Sequence, residues 1–146
     1  MTLSSTGASS AAIVAAVELQ LVAADGAFVP VAASFGYDPS DPFAVRAEFW
    51  LTEGGDPVVW VFARDLIAQG LEAPTGEGDV SVWPSRSQGE PVVCLALSSP
   101  NGQALLECRR ADLANFLEQT LATVPAGDES LHLDVDTPID QLLDGS

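Results

Sequence analysis

The string DVDTP at residues 134–138 holds the side chains best suited to chemistry. Asp-x-Asp-Thr fits phosphoryl transfer with the first aspartate as nucleophile. Such a centre needs further groups around the phosphate, and only ten residues follow Asp136. The motif therefore stands without its partners. His132, Asp134 and Asp136 alternate, so on a strand they share one face. Three such ligands could hold a divalent cation. The competing reading is a solvated acidic edge whose charges discourage further pairing, and it is preferred.

Other catalytic arrangements fare no better. A serine or cysteine nucleophile needs a base within reach, and His132 is the single histidine. No G-x-S-x-G string surrounds a serine. Gly76 and Gly78 in PTGEGD lack the phosphate-loop spacing, and the chain contains no lysine. Cys94 and Cys108 fall in apolar runs on neighbouring strands of one hairpin. They read as buried thiols that fill space. A disulfide is not expected in a reducing compartment, and two thiols with one distant histidine make no zinc site. The reading is a protein without catalytic residues, cofactor or metal.

Charge removes further classes. Five arginines stand against 21 acidic residues, for a formal net charge of −16. Nucleic acid is bound by releasing counterions to clustered basic side chains, which this chain lacks. The same field repels anionic lipid. A cationic, metallic or protein partner stays open. No window of some 20 apolar residues suggests a membrane-spanning helix. The first stretch, MTLSSTGASSAA, has no basic region of the kind that opens a signal peptide. Residues 1–12 read as a flexible tail and 13–146 as one domain, placed in the cytoplasm.

What remains is surface. Trp, Tyr and Arg are the residues most often found at interface hot spots. Trp83 with Arg86, and Trp50 with Arg46, fit that description as partner-binding candidates. The alternative is structural, each ring capping the end of a sheet. Trp60, between Val58 and Phe62, belongs on a buried face.

The elements that must position these residues can be read from period and punctuation. Strands are expected at 13–23, 28–36, 43–52, 57–62, 78–85, 91–98 and 103–109. Pro30 hints at an edge or bulge. EAPTGEG reads as a loop, and LHLDVD at 131–136 as a further extended piece. Short helices are expected at 63–69 and 137–143, and a long one at 109–124. Gly70 is read as ending the first in a left-handed conformation, with Leu71 folding back. In the long helix Leu113, Phe116, Leu117, Leu121 and Val124 follow the 3.6-residue period. Burying those five is worth on the order of 7–15 kcal/mol as an upper bound. WVFARDLIAQGL and ECRRADLANFL echo each other as strand, arginine, Asp-Leu, helix. Four strands plus a helix, then three strands plus a helix, argue for an α+β fold of about seven mostly antiparallel strands and three helices.

Several strings resemble one known family. They are DPFAV at 41–45, WVFARDL at 60–66, GDVSVWPSR at 78–86, LSSPNGQALLE at 97–107, FLEQT at 116–120, VPAGDE at 124–129 and DVDT at 134–137. Together they look like the SsgA-like proteins of actinobacteria that build multiple septa or spores. The likeness runs in one order from Val17 to Leu143. It implies a non-enzymatic regulator of sporulation-specific cell division, acting at the septum. It implies as partners the tubulin-like division protein FtsZ and an SsgA-type localisation partner. It also implies a Whirly-like fold assembled as a bell-shaped homotrimer. Trp60, Arg64, Asp65 and Pro84 are marked as family pattern, with a fold-maintaining role for Arg64 and Asp65 at the strand-to-helix corner. The Whirly fold elsewhere binds single-stranded DNA. Three copies of this chain triple its negative charge, so that activity is not expected here. The alternative reading is a module that binds a small molecule or divalent cation on its acidic C-terminal edge.

Overall fold

A computed structural model describes residues 12–52 and 54–132. Eight strands form one antiparallel sheet: β1 Ile13–Val22, β2 Phe28–Tyr37, β3 Ala44–Trp50, β4 Val58–Ala63, β5 Thr75–Glu77, β6 Val80–Ser87, β7 Glu90–Ser99 and β8 Gly102–Arg109. Among the described residues three helices accompany them: α1 Arg64–Gly70, α2 Arg110–Thr123 and α3 Glu129–His132. The spatial order is β4-β3-β2-β1-β8-β7-β6-β5. Each half is thus a four-strand meander followed by a helix, and β1 joins β8 at the centre. The echo seen in the sequence marks that repeat. Its second half has four strands, because the loop expected at EAPTGEG contains the short edge strand β5.

The sheet curls into a half-barrel. Its inner face carries Leu19, Phe35, Phe49, Val82, Leu95 and Leu106, all at most 1% exposed. Leu113, Phe116 and Leu117 of α2 are buried against it, with the rings of Phe35 and Phe116 5.6 Å apart. Burial alternates along β2 and β3 as a half-covered sheet requires.

Turn chemistry sets the register. Asp25 accepts the Ala27 amide at 3.0 Å beside Gly26 at φ +86°. Gln88 and Gly89, at φ +54° and +81°, close the β6–β7 hairpin as a two-residue turn whose twist matches the strands. Pro30 lies beyond the last β2–β3 pair, where one side of its strand has no neighbour. Pro84 likewise lies past the end of β5.

Two expectations need correction. Gly70 does not end α1 in a left-handed conformation. Leu71 continues in right-handed geometry and donates its amide to Ile67. Glycine is needed at 70 because a Cβ there would sit 2.2 Å from Val82 Cγ1. Leu131 and His132 do not begin a strand. They complete the single turn of α3, with the Leu131 amide on the Asp128 carbonyl. The expected strand beyond His132 and the helix at 137–143 lie outside the described residues.

Candidate interaction surface

Arg64 shows how the framework is fixed. It leaves β4 at the corner into α1 and is 2% exposed. Its backbone amide holds the Phe43 carbonyl at 2.7 Å. Its guanidinium donates to the Thr120 and Val124 carbonyls at 3.1 and 2.7 Å. These are end groups of α2, where a cation is favoured. The other nitrogen meets Glu129 Oε2 at 2.7 Å, and the group lies 5.0 Å from the centre of the Tyr37 ring. Tyr37 in turn donates its hydroxyl to the Pro42 carbonyl at 2.9 Å. One side chain therefore ties sheet, α1, α2 and α3 together. The Arg64 hydrogen bond, aided by the Gly127 amide, holds the Glu129 carboxyl below the usual range. Burial raises Tyr37, and the Arg64 charge opposes that shift. Asp65 is exposed in the first turn of α1, where an anion complements the helix end. Sequence reasoning singled out Arg64 but not Glu129 or Tyr37, whose pairing over long chain separations has no local signature.

Cys94 and Cys108 are both free and buried. They sit on adjacent strands one register apart, Cys94 opposite Glu107 and Cys108 opposite Val93, so they face opposite sides of the sheet. Burial pushes the Cys108 thiol up to about 12.

Most of the exposed large apolar residues gather at one end of the sheet, while Phe28, Val29 and Leu131 lie elsewhere. Val58, Val59 and Val61 on β4 are 41%, 40% and 58% exposed, and Phe43, Leu51 and Val14 lie around them. Among the described residues β4 is an edge strand, paired only with β3. An edge with no charge, no proline and outward-facing valines is a ready template for pairing, which monomeric proteins normally blunt. Trp50 and Arg46 flank this patch on β3, on the outer face. Arg46 lies directly opposite Val61 and pairs with Glu48 at 3.1 Å in the open. Here the sequence did give a signal. PVVWVF is apolar at every position, and an edge strand without alternation has something to cover on both faces.

Trp83 and Arg86 do not form one site. The two-residue period sets them on opposite faces of β6. Arg86 bends over the hairpin and donates to the Gly89 carbonyl at 3.1 Å. Trp83 is half-buried on the outer face, five strand spacings from Trp50, or roughly 24 Å. Trp60 is half-buried on the inner face. It lines an apolar groove of about 360 Å³ between Phe49, Leu51 and Val58 on one wall and Leu97 and Leu106 on the other. Pro84 is half-buried beside Trp83. Among the described residues no three His, Cys, Asp or Glu side chains could hold a metal ion. His132 closes α3, and Asp134 and Asp136 lie outside the described residues. No described helix is long and apolar enough to cross a membrane.

The chain is also similar to known proteins. Residues 31–129 match the family model described as Streptomyces sporulation and cell division protein, SsgA. The sporulation-specific cell division protein SsgB of Streptomyces coelicolor is 52% identical over 125 residues, covering 86% of this chain and 90% of that one. SsgB of Salinispora tropica is 49% identical over 128 residues, covering 87% and 90%. The crystal structure of an SsgA-like sporulation-specific cell division protein from Thermobifida fusca superposes with a TM-score of 0.81 at 43% identity, covering 97% and 98%. This chain belongs to the SsgA family of sporulation and cell-division proteins. It is closely related to SsgB and is a regulator of sporulation-specific cell division, not an enzyme.

Proposed function

We propose that the chain is an adaptor that positions the septum machinery, acting by contact through the β3–β4 edge. The observation that carries this reading is the cluster of exposed valines on an uncharged edge strand in a molecule of net charge −16. Copies associate through that edge into a homotrimer, bell-shaped and Whirly-like in outline. The assembly engages FtsZ and an SsgA-type localisation partner at the septum, with Trp50 and Arg46 beside the edge and Trp83 on the outer face as contact residues. Arg86 serves the same end by fixing the hairpin that carries Trp83. Kinship with sporulation regulators supports a cytoplasmic place of work.

The test is co-sedimentation with FtsZ polymers, paired with light-scattering mass. The wild type should be trimeric and pellet with FtsZ. The double variant Val59→Lys, Val61→Lys should lose the trimer and at least tenfold of its FtsZ retention, with an unchanged circular-dichroism spectrum. A variant that keeps both mass and retention overturns the reading.

A further inference from the structure

The outer face of the sheet has a chemistry of its own. Among the described residues the helix packing falls on the inner face; the outer face buries Cys94 and Val92 but leaves Glu18, Phe28 and Ala32 exposed. A cross-strand row runs over it as Pro30, Gln20, Glu107, Cys94 and Trp83. The neighbouring row brings Trp50, Ala32 and Glu18 together. Aromatic rings stand along these rows: Phe28 is 42% exposed, and Trp50 and Trp83 are half-buried. Beside Phe28 lies a concavity of about 380 Å³, lined among others by Glu18, Glu90, Glu107, Asp112 and Arg109. Uncovered aromatic rings next to carboxylates are complementary to a guanidinium, which stacks on the one and forks onto the other.

We propose that this face docks an arginine-bearing segment of a partner protein. The ring faces and the carboxylates select the same ligand by independent forces. A neutral apolar partner would leave the carboxylates desolvated and unpaired, and an acidic one would be repelled. The surface shares Trp50 and Trp83 with the contacts proposed above, but its carboxylates and Phe28 lie away from the β3–β4 edge, and their test does not depend on the adaptor reading.

The experiment uses the full chain and a fluorescein-labelled synthetic peptide alternating arginine and leucine, read by anisotropy at physiological ionic strength. The wild type should bind it, and should bind the lysine–leucine analogue several-fold more weakly. Glu18→Gln with Glu107→Gln should weaken the arginine peptide by about tenfold. Phe28→Ala, a change at an exposed ring, should weaken it several-fold. Glu77→Gln with Glu118→Gln removes the same charge from β5 and α2 and should change nothing. Equal loss in that control pair reduces the effect to net charge and overturns the proposal. So does absence of binding, or equal affinity for the two peptides. If the Glu18/Glu107 variant instead changes the light-scattering mass, a second copy covers this face and the proposal fails.

Discussion

Arg64 is the residue on which most of the framework converges. It holds two helix-end carbonyls and a carboxylate while almost wholly buried. Replacing it with methionine would remove the guanidinium from Glu129 Oε2 and from the Thr120 and Val124 carbonyls. Loss of one partner from a buried pair costs about 3–5 kcal/mol, so urea unfolding of Arg64→Met should show a loss of that order. Glu129→Gln should lose less, because the amide still accepts from Arg64. The pH dependence has a defined sign at both ends. Glu129 is held below the usual carboxylate range, so its contribution is complete above that range and disappears as pH falls through the lowered folded value. Cys108 is raised from 9.0 to about 12. The folded state keeps that proton where the unfolded chain loses it, so stability should fall as pH rises between those values. Unfolding midpoints compared between pH 8 and pH 11 should show the fall, and Cys108→Ala should flatten it.

At the scale of elements, Gly70 gives a test in which two mechanisms predict opposite signs. Helix propensity alone makes Gly→Ala stabilising by up to about 1 kcal/mol. The close approach of Val82 makes it destabilising by about 1–3 kcal/mol. Chemical denaturation should show destabilisation, and Gly70→Ala with Val82→Ala together should recover part of the loss.

The sequence reading of Gly70 failed for the same physical reason. A glycine near a helix end signals a left-handed residue, while a close approach from another element leaves no local trace. The two-residue period and the turn residues were enough to place seven of the eight strands, because burial on one face dictates alternation. The missed strand β5 is three residues long and borrows its pairing from β6, so no pattern of its own announces it. Arg64 was legible as a corner residue, but its bonds to Thr120, Val124 and Glu129 join distant parts of the chain. Trp83 and Arg86 read as one site only when their three-residue separation was taken without the strand period. The valines of β4 were legible as a strand. What made them informative was the edge position, which only the order of strands in the sheet reveals.

At the scale of the whole molecule, two open edges bound the half-barrel, and they differ. β5 is short and carries Glu77, which protects it. β4 is longer, apolar and uncharged along Val58–Ala63. A regulator without reactive chemistry has to work by being covered, and β4 is the part of this surface that most needs covering. The most direct measurement is amide hydrogen exchange along Val58–Ala63, followed as protein concentration rises and again with FtsZ present. The account predicts that the outward-facing β4 amides slow by at least tenfold on association, while those of β5 do not. Exchange in β4 that stays fast, in a protein that nevertheless assembles or binds FtsZ, would contradict it.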